Sequence, residues 1–216
     1  MTAATARIRV VLATHNVHKV AEFQHILGRA LPQLVIVAYD GPEPIEDGVN
    51  FAENALIKAR TASAHTGLPA LADDSGVCVD ILGGAPGIFS ARWSGQHGDD
   101  RANLNLLLDQ LADVRDENRT AHFSATIALV VPRAASGSLP SETVVECIWP
   151  GSIAHAARGD NGFGYDPIFI PAGGTVTSAE LTAAQKTAQS HRARAFQKVI
   201  PALIALAGEP RSNTPN

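Results

Sequence analysis

The stretch Leu68-Pro69-Ala70-Leu71-Ala72-Asp73-Asp74-Ser75-Gly76-Val77-Cys78-Val79-Asp80-Ile81 decides how the rest of the chain is read. Leu68 to Ala72 and Val77 to Ile81 are apolar runs of strand length. Two adjacent carboxylates at a strand end repel each other and need a compensating cation or water. A hard divalent cation such as Mg²⁺ takes oxygen ligands and keeps several waters. Beside such an ion a carboxylate stays ionised and a coordinated water loses its proton more easily. Neighbours in an extended strand point to opposite faces, so Asp73 and Asp74 differ in role unless the chain turns, which Gly76 would allow. The plain alternative is an Asp/Ser turn between two strands.

Outward from that run, helices and strands alternate. Ile8 to Ala13 reads as a buried strand, and Thr14 to Lys19 as a loop. Val20, Phe23, Ile26 and Leu27 have helical spacing, with Gly28 as a stop. Leu34 to Ala38 is a second strand. A turn-rich stretch from Tyr39 to Asn50 precedes a close-packed helix from Phe51 to His65, lined by Ala55, Ala59 and Ala62 and capped by Gly67. Downstream, Leu82 to Gly98 is a long glycine-rich loop, the kind of segment that tends to carry function. Asp99-Asp100 opens a Leu-rich helix with acids at its positive end. His122 to Val131 and Glu142 to Trp149 form a hairpin across a Ser/Gly/Pro-rich connection expected to be mobile. A final helical region runs from Thr182 to Ala207, where Thr182-x-x-Gln185 fits a capping box. The tail 209–216 is expected to be disordered. This order predicts an α/β fold on a mixed sheet.

Composition narrows the function classes. The 216 residues are 45% apolar and 18% charged, with a formal net charge of −4. A slightly acidic chain is a poor nucleic-acid coat, yet a small anionic ligand needs only a few local donors. Cys78 and Cys147 lie among apolar neighbours and read as buried thiols, not as a disulfide scaffold. No signal-peptide pattern opens the chain, and its apolar runs fall short of the roughly 20 residues of a membrane helix. A cytoplasmic location, with no membrane partner, is expected.

Candidate chemistry gathers at further places. The Thr14–Lys19 loop joins a strand to a helix, where free backbone N–H groups favour an anion; it is not a Walker A loop. Thr14 as a simple cap and Lys19 as a solvated lysine remain the alternative. Glu46 or Asp47 could add a metal oxygen. Lys58 points toward phosphate or is a surface lysine. In Gly162-Phe163-Gly164-Tyr165-Asp166-Pro167, glycines let backbone approach a ligand and Phe163 offers a face for a base; a strand-entry turn is the alternative. Lys186 and Arg192 would point about 120° apart on an unbroken helix. Both can face one ligand only if the chain kinks near Ser190, a plausible N-cap.

Taken in order, several segments resemble the inosine triphosphate pyrophosphatase family, the non-standard purine NTP pyrophosphatases. They are Leu12-Ala13-Thr14-x-Asn16-x-x-Lys19, Phe51-x-Glu53-Asn54-Ala55-x-x-Lys58-Ala59, Ala72-Asp73-Asp74-Ser75-Gly76, Leu82-Gly83-Gly84-Ala85-Pro86-Gly87 with Ser90-Ala91-Arg92, Gly162 to Pro167, and Lys186 with Ser190-His191-Arg192. The resemblance implies a long central mixed β-sheet with helices, in two lobes with the active site in the cleft between them. Residues 1–208 would form one two-lobed catalytic domain. It implies a homodimer, Mg²⁺ dependence, and hydrolysis of ITP, dITP or XTP to monophosphate and pyrophosphate, removing deaminated purines from the nucleotide pool. A Mg²⁺-activated water would attack the α-phosphate. Asp74 matches the proton acceptor, and Glu46 and Asp74 the metal ligands, with Asp73 and Lys58 as helpers. Thr14, His15, Asn16, Val17, His18, Lys19, Ser75, Phe163, Gly164, Tyr165, Asp166, Lys186, His191 and Arg192 match substrate-binding positions. His18 stands where the family commonly has glycine, Phe89 where tyrosine is frequent, and Cys78 where a larger apolar residue is usual. The rival readings are a pyrophosphatase of other modified nucleotides and a non-catalytic nucleotide sensor.

Overall fold

The computed structural model describes residues 7–15, 17–132 and 141–208. Its strands are β1 (Ile8–Leu12), β2 (Leu34–Ala38), β3 (Ala70–Val79), β4 (Thr120–Val131), β5 (Ser141–Ile153) and β6 (Phe169–Pro171). The helices are α1 (Val17–Ala30), α2 (Phe51–Thr66), α3 (Asp100–Gln110), α4 (Ala183–Gln189) and α5 (His191–Gly208). The strands form one six-stranded sheet in the order β2-β1-β3-β4-β5-β6. β1 pairs parallel with β2 and β3, whereas β5 and β6 are antiparallel, so the sheet is mixed and the fold is α/β. By internal contacts the chain divides into two compact units, Met1–Asp73 with Thr126–Val145 and Ala195–Asn216, and Asp74–Ala125 with Glu146–Arg194.

In the first unit, α2 begins at Asn50, whose side chain accepts the Glu53 N–H at 2.8 Å, and ends at Gly67 with φ 65°. A left-handed stop of that kind favours glycine. Ala55 and Ala59 pack against Ala72, Ala128 and Val130, small side chains that let helix and sheet approach closely. Helix α1 buries Phe23 and Leu27. Gln24 bonds to the Leu34 carbonyl and the Ile36 N–H, giving edge strand β2 polar partners on the side where, among the described residues, no further strand pairs. Helix α1 also departs from the sequence reading. It starts at Val17 and passes through Gly28 to Ala30, because one glycine only weakens a helix, whereas Pro32 disfavours helical geometry in the residue before it.

The second unit is built around Val77, Val79, Leu104, Leu107, Leu111, Phe123, Trp149, Ile168 and Phe169. Along β5, Cys147 and Trp149 are buried while Glu146, Ile148 and Pro150 are exposed, the alternation of a sheet with one wet face. Arg119 is 2% exposed. Its guanidinium donates to the carbonyls of Ile153, Leu111 and Ala154 at 2.7, 2.6 and 2.8 Å, tying the end of α3 to the end of β5. The region Leu82–Gly98 is more ordered than a plain loop and contains a 3₁₀ turn at Gly87–Arg92. Most of the Pro132–Ser141 connection and the tail 209–216 lie outside the described residues. Among the described residues, no helix is long and apolar enough to cross a membrane.

Candidate active site

Asp73-Asp74-Ser75-Gly76 does not form a turn between two strands. It lies within the single strand β3. Strand alternation therefore sends the two carboxylates to opposite faces: Asp73 is 6% exposed, and Asp74 and Ser75 are half-buried. Gly76 serves close packing instead of bending. A Cβ there would collide with the Gly87 carbonyl and the Ser90 hydroxyl. The Ser90 hydroxyl accepts the Val77 N–H at 3.0 Å and donates to the Gly87 carbonyl at 2.6 Å, fastening the 3₁₀ turn onto β3 beside the acidic pair.

The Gly162–Pro167 turn is the best-defined part of the site. Asp166 is 3% exposed and opens a 3₁₀ turn, Asp166–Ile168. Its Oδ2 accepts the Phe163 N–H at 2.9 Å and the Lys186 ammonium at 2.5 Å, and its Oδ1 accepts the Ser178 hydroxyl at 2.6 Å. Tyr165 is buried and donates to the Ser90 carbonyl at 2.8 Å. Burial first, and the charge of Asp100 second, push its phenol well above the ordinary value, so it stays a neutral donor. Phe163 is 59% exposed. Arg192 lies 5.3 Å and Lys186 5.9 Å from its ring centroid, within the ~6 Å range of cation–π attraction. Arg192 also reaches the Ser75 hydroxyl at 3.4 Å.

That pairing depends on the helix break the sequence predicts. Ser190 has φ −67° and ψ 153°, outside helical space, so α4 stops and α5 starts anew. The Ser190 hydroxyl accepts the Ala193 N–H at 3.2 Å as an N-cap. The Thr182–Gln185 capping box opens α4 as expected. His191 is 7% exposed, and its ring stacks on Phe123 at 4.9 Å and on Trp149 at 6.2 Å.

In the first unit, Thr14 is half-buried and its N–H bonds to the Leu12 carbonyl at 2.8 Å. His15 bonds to Glu43 at 2.9 Å and the Gly41 carbonyl at 3.0 Å, and stacks on Tyr39 at 5.6 Å. Val17, His18 and Lys19 form the first turn of α1 and not a loop. Asn16, and the side chains of Val17, His18 and Lys19, lie outside the described residues. Lys58 is 3.4 Å from Glu46, a partner the sequence reading did not foresee. Also unforeseen are Ser178 beneath Asp166 and Asp100 against the Gly164 N–H at 2.9 Å. Asp100 and Gly164 are 64 residues apart in the chain, a pairing that no local spacing signals.

The Ham1 family model matches residues 10–202, nearly the whole chain. The chain belongs to the Ham1 family. A Ham1 relative from Leifsonia xyli, named dITP/XTP pyrophosphatase, is 63% identical over 92% of this chain and 97% of its own. One from Mycobacterium bovis with the same name is 50% identical over 92% and 97%. The crystal structure of the Mycobacterium abscessus nucleoside-triphosphatase, also called dITP/XTP pyrophosphatase, superposes with TM-score 0.75 at 48% identity, covering 90% of this chain and all of that one. A HAM1 protein from Coxiella burnetii superposes at 0.81 with 39% identity, covering 92% and 99%. Within this Ham1 chain, no three His, Cys, Asp or Glu side chains among the described residues converge as metal ligands. Asp74 and Glu46 each present a partly buried carboxylate, and Mg²⁺ is usually held by one or two carboxylates together with water and substrate phosphate.

Proposed function

We propose that this chain hydrolyses dITP, ITP and XTP to the nucleoside monophosphate and pyrophosphate. Phe163 carries the reading. An exposed aromatic face flanked by Lys186 and Arg192 suits a flat base attached to a polyanion. The activity in the names of the Leifsonia and mycobacterial relatives supports the substrate class.

In this reading Asp74 takes the proton of the attacking water. The water oxygen bonds to the α-phosphorus, the bond from that phosphorus to the bridging oxygen breaks, and pyrophosphate leaves with the electron pair. Asp74 and Glu46 are the carboxylates that would hold Mg²⁺, with Asp73 as a helper. The ion, when bound, neutralises phosphate oxygens and acidifies water. Lys19 and Lys58 offset charge on the departing pyrophosphate. Lys186, bonded to Asp166, is assigned instead to the base side. Backbone N–H groups, His191 and Arg192 favour the 6-keto oxygen of hypoxanthine and xanthine. Adenine, with a 6-amino donor, would leave buried donors unpaired at about 1–3 kcal/mol each. Residues 1–208 act as one catalytic domain, and the assembly is a homodimer, which light scattering on the purified protein tests.

Asp74→Asn is expected to lower dITP turnover at least ~100-fold while the fold persists, the scale of a lost general base. Near-normal turnover would remove Asp74 from that role.

A further inference from the structure

The turn that carries Phe163 is held from outside. Gly162 and Gly164 have φ of 81° and 60°, and glycine has many conformations open to it, so the turn's own preference is weak. Its anchors are Asp166 on the Phe163 N–H, Tyr165 on the Ser90 carbonyl, and Asp100 on the Gly164 N–H. Asp100 comes from a different part of the chain than the site. It is the first residue of α3, where the positive helix end favours a carboxylate. Leu104 and Leu107 of α3 are buried in the core of the same unit, so Asp100 ties a pliable turn to a packed helix. Phe163 itself has little packing to hold it, being 59% exposed.

We propose that Asp100 is a positioning residue: by fixing Gly164, it sets the ring of Phe163 at the height needed to stack on the substrate base. The proposal rests on the reading of Phe163 as the base platform. Its test is steady-state kinetics with dITP on Asp100→Ala, Asp100→Asn, Phe163→Ala and the Asp100→Ala/Phe163→Ala pair, with a thermal melt of each. Asp100→Ala is expected to raise KM about 3- to 10-fold, the scale of the net contribution of one solvent-exposed hydrogen bond, with kcat little changed. Asp100→Asn keeps a side-chain oxygen for Gly164 and restores KM, although it loses the same helix-end charge. In the Phe163→Ala background, Asp100→Ala adds nothing further.

If Phe163→Ala raises KM and Asp100→Ala does not, the proposal fails and the platform reading stands. If the two effects multiply, Asp100 acts elsewhere and the proposal fails. If Phe163→Ala leaves KM unchanged, both fall together. Should Asp100→Ala not fold, Asp100→Ser, whose hydroxyl is too short to reach, takes its place with the same expected rise, and a wild-type KM there overturns the proposal.

Discussion

Replacing Phe163 by alanine separates binding from stability. The ring is 59% exposed, so about two-fifths of its surface is buried against the protein. Full burial of a phenylalanine contributes about 1.5–3 kcal/mol, so the folded chain loses at most about 0.6–1.2 kcal/mol of apolar burial. Exposed cation–π contacts to Arg192 and Lys186 add about 0.5–1 kcal/mol each at most. For a chain of this size the melting temperature should fall by no more than ~13 °C. Stacking of a base on an aromatic ring contributes about 1–3 kcal/mol, which is a 5- to 150-fold rise in KM for dITP. Stacking is indifferent to which base is present, so the ratio of dITP to ATP activity should hold. The assay is pyrophosphate release against nucleotide concentration, paired with a thermal melt. A KM within twofold of wild type, or a collapse of kcat at unchanged KM, would refute the platform.

Other consequences follow from the packing. Gly76→Ala should cost about 1–3 kcal/mol in chemical denaturation, because its methyl meets the Gly87 carbonyl and Ser90; unchanged stability would mean the 3₁₀ turn is not packed on β3. Arg119→Met should cost at least ~3 kcal/mol by stranding buried carbonyls of Ile153, Leu111 and Ala154; a melting temperature within ~2 °C of wild type would contradict that. Burial, and then Asp80, push the Cys78 thiol up to about 11. At pH 8 only about one thiol in a thousand is then ionised, so native Cys78 should alkylate far more slowly than after denaturation. Rapid labelling of the folded chain would count against it.

The elements legible in the sequence were those with local causes. The α2 caps, the Thr182–Gln185 box and the break at Ser190 each follow from a polar side chain placed to satisfy a helix end. What escaped was set by distant partners. Gly76 looked like a hinge because glycine permits turning, but its smallness is demanded by Ser90, 14 residues on in the chain. His191, expected at the substrate, also packs against Phe123 and Trp149, contacts that its place in the sequence does not signal. Ser178 and Arg119 carried no periodic or motif signal, and Asp100 read only as a charge at a helix start, since what each holds is set by tertiary hydrogen bonds.

The most direct test of the central claim is product analysis with Mg²⁺ over dITP, ITP, XTP, GTP and ATP. The account predicts one pyrophosphate and one monophosphate per dITP, ITP or XTP consumed, with ATP far slower. Release of orthophosphate with a diphosphate product, a preference for modified pyrimidine nucleotides, or binding without turnover would contradict it.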